Sequence, residues 1–356
     1  MTLRIEAGSR AWRTSTRLVA AVVALVLSAT ALTACSTSPE EKGSTTGSSS
    51  ASDSFPVTIT HKYGTTTIPE EPKRVVVVGL TEQDILLDLG VVPVATTEWY
   101  DEHPSATWPW AQALLKGAKP KVLHTTNGFE FEKIAGLKPD LIIGTNAGMK
   151  QGDYKKLSQI APTVTSIKGS EPFFSDWKAQ TRQVAAAVGR AAAGEKLITG
   201  VEGAYAKAKA AHPEFTGLTA TFSQGVPWED NLWVYPDGLN TDFLTDLGFT
   251  ITQGLEKYAP DTPGSQARIS PENVDLLDAD VIVFATENRD AVAGLMKFGT
   301  LANLKAVKEN RSVYTDGVLA GAIYFMTPLS QKYVLEKLTP RLVAAVKGEA
   351  PQSIDG

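Results

Sequence analysis

The stretch FEKIAGLKPDLIIG, residues 131–144, decides the fold. Its second half, Asp140-Leu141-Ile142-Ile143-Gly144, reads as a strand without polar alternation, as in a sheet covered on both faces. The pattern returns further along the chain. Glu132, Ile134, Leu137, Asp140, Leu141, Ile142 and Ile143 match Glu272, Val274, Leu277, Asp280, Val281, Ile282 and Val283, each pair 140 residues apart. A second block, Asp84, Leu86, Asp88, Leu89 and Gly90, matches Asp242, Leu244, Asp246, Leu247 and Gly248 at a separation of 158. Apolar periodicity accounts for part of this agreement, but two blocks in the same order read as an internal duplication.

Around these blocks strands alternate with helices. Arg74-Val75-Val76-Val77-Val78-Gly79 is a continuous β-branched run, Thr81 to Leu89 a short helix stopped by Gly90, and Val91 to Val94 the next strand. Such alternation implies βα units and mainly parallel sheets. The predicted class is α/β, with two Rossmann-like lobes at 56–190 and 213–356. Between them, Leu197, Val201, Tyr205 and Ala208 fall on one helical face and Pro213 ends the run. A single helix over 191–212, roughly 30 Å long, is expected to join the lobes and leave a ligand cleft between them. A helix makes a stiffer joint than crossing strands, so large hinge closure is not expected.

The two separations differ by 18 residues, the excess falling in the first half. The stretch TTEWYDEHPSATWPWAQALL, residues 96–115, is the candidate insertion. It follows a strand, at the sheet edge where α/β proteins bind ligands. Trp99, Tyr100, Trp108 and Trp110 make it a candidate binding surface; the competing reading closes a satellite core with Trp108 and Trp110.

The start of the chain reads differently. Arg4, Arg10, Arg13 and Arg17 precede an apolar run from Leu18 to Leu32, broken only by Ser28 and Thr30. A bilayer span wants roughly 20 apolar residues, so residues 1–35 read as a signal peptide. The chain's one cysteine, Cys35, ends Leu32-Thr33-Ala34-Cys35, which resembles a bacterial lipobox. Lipidation there, followed by a Ser/Thr/Gly tether over 36–55 with a reach of roughly 25 Å, would hold the body at the extracytoplasmic face of a cell membrane.

Cleavage before Cys35 would remove four of 34 basic and one of 39 acidic residues, leaving 30 and 38 and a formal charge of −8. That balance excludes nucleic acid as a partner. The roughly 300 remaining residues fit two domains. There is no Gly-x-Ser-x-Gly elbow, no phosphate-cradling Gly-x-x-x-x-Gly-Lys and no His-Glu-x-x-His helix. His61, His103, His124 and His212 are isolated in sequence. Neither an enzyme nor a resident metal site is expected.

Six stretches in order, HKYGTTTIPEEPKRVVVVG, DLGVVPV, FEKIAGLKPDLIIG, YKKLSQIAPTV, SPENVDLLDADVIVF and PLSQKYVLEKL, resemble the iron–siderophore substrate-binding lipoproteins of ABC importers, a group related to vitamin B12 and haem binders. The resemblance runs from Thr58 to about Leu342 and implies a monomer that presents a ferric siderophore to a permease, the iron carried only within its chelator. It also implies permease docking through one glutamate per lobe, Glu132 and Glu272. A competing reading makes each a first-turn acid favouring its helix dipole, with Ser270 as N-cap and Pro271 at the first position.

A ferric chelate wants aromatic walls and a few cations. Loops after strands offer Trp99, Tyr100, Asn146 and Lys150 from the first lobe, and Trp228, Arg268, Arg289 and Tyr324 from the second. Lys150 and Arg289 are expected to place one cation on each lip. Trp233 and Tyr235 alternate on one strand face, where core packing is expected. Haem, a cobalamin, or a tethered sensory role on the same fold are the alternatives.

Overall fold

Asp140 and Asp280, the duplicated acids, perform the same structural task. The Asp140 carboxylate accepts from the backbone N–H groups of Lys73 (2.7 Å) and Arg74 (2.8 Å), just ahead of one central strand. Asp280 accepts from the N–H of Thr219 (2.8 Å), the first residue of the other. Each acid fixes the register of two neighbouring parallel strands. The backbone and hydroxyl bonds from Thr219 hold the Asp280 carboxyl below its ordinary value.

A computed structural model of the chain describes residues 54–170, 173, 175–260 and 265–354. The predicted signal peptide, Cys35 and the tether as far as residue 53 lie outside the described residues. A hairpin of β1 (Val57–His61) and β2 (Gly64–Ile68) comes first. Then follow β3 (Val75–Val77), α1 (Glu82–Asp88), β4 (Ala95–Thr97), β5 (Lys121–Leu123), α2 (Phe131–Gly136), β6 (Leu141–Gly144), α3 (Gln151–Leu157) and β7 (Thr163–Thr165). These strands form a five-stranded sheet in the order β5-β4-β3-β6-β7, parallel throughout. The strand expected at Val91–Val94 starts later. Val91 N–H is still closing the end of α1 on the Leu86 carbonyl (2.8 Å), and bonding to β3 begins only at Val94, whose N–H donates to the Val75 carbonyl (2.8 Å) ahead of the Val76–Ala95 pair.

After α4 (Trp177–Ala187) comes α5 (Ala191–Ala211), whose buried stripe is Gly194, Ile198, Val201 and Tyr205. Of the expected stripe, Val201 and Tyr205 are buried, while Leu197 and Ala208 at its ends are half-buried and Ile198 takes the place of Leu197. The second half comprises β8 (Thr219–Gln224), β9 (Leu232–Tyr235), α6 (Asp242–Thr245), β10 (Thr250–Ile251), β11 (Ala267–Ile269), β12 (Val281–Ala285), α7 (Arg289–Leu295), α8 (Lys305–Lys308), β13 (Ser312–Tyr314), α9 (Gly317–Phe325) and α10 (Pro328–Lys347). Its sheet runs β11-β9-β8-β12-β13, with β10 added on β8.

The expected α/β class with two sheets holds, and the second sheet is mixed. Along one edge of β8, β10 pairs in parallel with Thr219 and Ala220, while β9 pairs antiparallel with Phe222 and Ser223. In the first sheet β4 and β6 flank β3, both parallel to it. The β8–β9 hairpin is therefore an insertion peculiar to the second half, as the long connection after β4 is to the first.

The C-terminal helix returns to the first half. Thr327, the N-cap of α10, exchanges capping bonds with Ser330 and donates its hydroxyl to Asp84 of α1 (2.7 Å). Leu329 packs against Leu87, Ala111 and Leu115. The halves thus touch through α10 and α1 in addition to their connection through α5. Among the described residues, no helix is long and apolar enough to cross a membrane.

Candidate functional site

Strand ends build a cavity of about 420 Å³ from both halves. Trp99 and Tyr100, just beyond β4, form one wall. Gln224, Gly225 and Val226 at the end of β8, Tyr235 on β9, Ala285 and Glu287 at the end of β12, and Tyr324 on α9 form the rest. Gly225 is needed where β8 and β12 converge: a Cβ there would lie 2.4 Å from the Ala285 carbonyl oxygen.

The aromatic wall belongs to a larger cluster. The Trp99 ring meets Tyr100 edge-on at 5.3 Å and Phe325 at 5.4 Å. Tyr100 packs edge-on to Trp108 at 4.9 Å, and Trp108 stacks on Trp110 at 5.0 Å. Trp108 is buried, and its six-membered ring lies over the backbone of α9 at Gly321, where a Cβ would sit 2.2 Å from it. Trp110 Nε1–H donates to the buried Asp84 carboxylate (2.7 Å). Core packing is therefore what Trp108 and Trp110 do, while Trp99 and Tyr100 face the cavity.

Burial pushes the phenols of Tyr100, Tyr235 and Tyr324 well above their ordinary value, and for Tyr100 and Tyr324 the nearby Glu287 adds to the effect. At neutral pH these groups are O–H donors rather than phenolates. The Tyr100 hydroxyl is buried and has no hydrogen-bond partner among the described residues.

The other predicted ligand residues lie elsewhere. Asn146 is buried and ties two loops together: its amide donates to Thr81 Oγ1 (3.2 Å), and its backbone N–H to Glu82 Oε1 (2.7 Å). Glu82, which sequence reasoning passed over, is fully buried and also accepts from Thr81 N–H and Thr145 Oγ1. Desolvation raises its pKa against those bonds. Lys150 stands at the N-cap position of α3, where its backbone N–H donates to Asp153 Oδ2 (3.3 Å), and it lines a separate hollow of about 430 Å³ with Asp153, Phe129 and Phe173. Arg289 opens α7 and lines another with Gln352, Ser353 and Ile354. Neither lysine nor arginine is among the residues lining the 420 Å³ cavity, so the expected pair of cationic lips is not brought together there. Arg268 lies over the Trp233 ring at 4.7 Å, on the strand face where core packing was expected.

Trp228 is 65% exposed on the hairpin, with Val226 at 50% beside it. Trp228 and Asn231 exchange backbone bonds of 2.8 and 3.0 Å across Glu229 and Asp230, both at positive φ. That is the two-residue turn that matches strand twist. Sequence reasoning missed Gln224, Val226 and Glu287 as cavity residues. Glu287 stands two positions before the arginine it singled out.

Glu132 and Glu272 are exposed in the first turns of α2 and of the 3₁₀ helix Pro271–Leu277. The Ser270 side chain makes no capping bond there, although Pro271 does occupy the first position. Neither glutamate has a hydrogen-bond or ion-pair partner among the described residues.

Residues 75–319 match the family described as periplasmic binding protein. The chain is 30% identical over 303 residues to a probable siderophore-binding lipoprotein of Bacillus subtilis, YfiY, covering 81% of this chain and 87% of that one. A periplasmic solute-binding protein from Mycobacterium smegmatis superposes with a TM-score of 0.76 at 41% identity, over 82% of this chain and 98% of its own. PiaA of Streptococcus pneumoniae, solved in complex with ferrichrome, superposes with a TM-score of 0.70 at 26% identity, over 82% and 99%. With two α/β sheets feeding one aromatic cavity and this match across most of its described length, the chain belongs to the periplasmic binding protein family, whose members bind their ligands rather than transform them.

Proposed function

We propose that this chain captures a ferric siderophore in the cavity between its two sheets and delivers it to the permease of an ABC importer, held at the extracytoplasmic membrane face by a lipid on Cys35. The carrying observation is the cavity itself: about 420 Å³, walled by Trp99, Tyr100, Tyr235 and Tyr324 drawn from both halves. Its phenols are neutral, so they suit an iron ion already wrapped by its chelator better than a bare one. Trp99, Tyr100 and Tyr324 would contact the chelate, with Trp228 at the rim. The name of YfiY and the ferrichrome bound to PiaA support the cargo class.

Trp99 makes binding visible. The full chain, kept in mild detergent, should show saturable, iron-dependent quenching of tryptophan fluorescence by at least one ferric chelator. Haem or cobalamin quenching, with every ferric chelator silent, would replace the cargo while keeping the binding role. Silence across the whole panel would favour the sensory alternative.

Glu132 and Glu272 supply the docking half of the proposal. Both stand exposed and unpaired at matching positions of the duplication, available to cationic partners. Glu132→Arg combined with Glu272→Arg should abolish chelate uptake by cells while leaving solution affinity for the chelate unchanged. Retained uptake would remove the docking assignment.

A further inference from the structure

Among the described residues that line the cavity, Glu287 is the one charged side chain. It stands two residues beyond the end of β12, immediately before Asn288, whose side chain caps α7 by accepting from the Ala291 N–H. Its carboxylate has no hydrogen-bond or ion-pair partner among the described residues. Partial burial raises its pKa, and the nearby Asp101 adds to the rise. The aromatic walls add no compensating positive charge; their faces favour a cation. The carboxylate is exposed in the free protein, so its cost arises when a ligand covers the cavity and takes its water: a ligand cation would offset that loss, and a polyanion would deepen it.

We infer that this cavity selects ferric chelates without net negative charge, and that Glu287 sets the selection by receiving the cationic arm of the chelate. The inference rests on the reading that the cavity holds a ferric chelate. Elementary charge counting separates the candidates. Three hydroxamates neutralise a ferric ion, and a pendant ammonium makes the complex cationic. Catecholates, each doubly charged, and citrate leave it anionic. The hollow that holds Lys150 also holds Asp153, so it offers no unopposed cation to reverse the preference.

The test is a fluorescence titration of the full chain in mild detergent with four probes: ferrioxamine B (cationic), ferrichrome (neutral), ferric dicitrate and a ferric tris-catecholate (both anionic). The cationic and neutral probes should bind at least about tenfold more tightly than either anionic one. Glu287→Gln should weaken ferrioxamine B by about tenfold and leave ferrichrome within about twofold. Glu287→Lys should narrow the gap to ferric dicitrate. Because the Glu287 side chain makes no hydrogen bond or ion pair among the described residues, each variant should keep the wild-type melting temperature, which separates lost affinity from lost fold. Tighter binding of an anionic probe, or a Glu287→Gln variant indistinguishable from wild type on all four, overturns the charge inference while leaving the ferric-chelate reading in place. Quenching by none of the four, in folded protein, removes that reading and the inference with it.

Discussion

The two halves each carry an insertion that reaches the same cavity, and the two are held in opposite ways. The connection after β4 folds down on itself: Trp108 is buried, stacked on Trp110 and laid over Gly321 of α9, and Trp110 is tied to Asp84. The β8–β9 hairpin closes its backbone with reciprocal Trp228–Asn231 bonds yet leaves Val226 and Trp228 outside. One wall of the cavity is thus set before any ligand arrives. The other offers exposed apolar surface, where a ligand in the proposed site would gain contact area and where the cost of ordering side chains would fall.

The strongest way to break this contrast is to truncate one tryptophan from each insertion. Trp108→Ala should cost about 3–5 kcal/mol, the range for emptying a buried aromatic site, because the Gly321 backbone it covers cannot close the gap. Trp228→Ala should stay within about 0.5 kcal/mol, as for other exposed positions. Urea unfolding midpoints of the two variants decide the matter, and equal losses would dissolve the distinction.

Asp84 sharpens it further, because the insertion hangs on this carboxylate. Its Oδ2 accepts from Trp110 Nε1 and Thr327 Oγ1, both at 2.7 Å, while Oδ1 is buried without a partner. Desolvation raises the pKa from 3.8 to about 7; the two hydrogen bonds oppose the rise, and Asp88, itself paired with Lys332 at 3.4 Å, adds to it. The folded chain therefore binds more protons than the unfolded one between those two values. This contribution is greatest below the unfolded pKa, declines as pH rises towards 7, and is flat above. Between pH 5 and 7 the decline is on the order of 2–3 kcal/mol. Asp84→Asn keeps an acceptor for Trp110 and Thr327 and cannot ionise. Its stability relative to wild type should rise from pH 5 to pH 8. Melting temperatures of both proteins across that range test it, and parallel curves would count against a buried, titrating Asp84.

What the sequence discloses of all this follows from local physics. The runs Val75–Val77, Leu141–Gly144 and Val281–Ala285 are legible as strands because both faces of each are covered. The central strand β8, TATFSQ, is not, because Thr221 and Ser223 find partners in Thr252 and in nearby carbonyls and so carry hydroxyls into the sheet. The hairpin partner β9 then displaces β10 from half of that edge, an exchange no periodicity records. At the site, Trp99, Tyr100 and Tyr324 stand out by type and by placement after strands. Lys150 and Arg289 mislead because each begins a helix after its loop, and the turn into that helix carries it to a different hollow. Glu287 escapes notice because an anionic ligand directs attention to cations.

A change of one buried oxygen bears most closely on the fixed wall. Tyr100 is packed between Trp99 and Trp108, yet its hydroxyl is buried with no partner among the described residues. In the free protein that group has lost its water and gained nothing, so removing it should not destabilise the fold. Tyr100→Phe is expected to be neutral or to stabilise by up to about 1 kcal/mol. A chelate oxygen reaching the cavity would accept the bond the protein leaves open. The same variant should then weaken chelate binding by about threefold to tenfold. Opposite signs in the two measurements, thermal unfolding without ligand and fluorescence titration with it, mark a polar atom kept for the ligand. A loss of stability in the free protein would instead place the hydroxyl in the wall's own packing, and the contrast between the walls would then be one of burial alone.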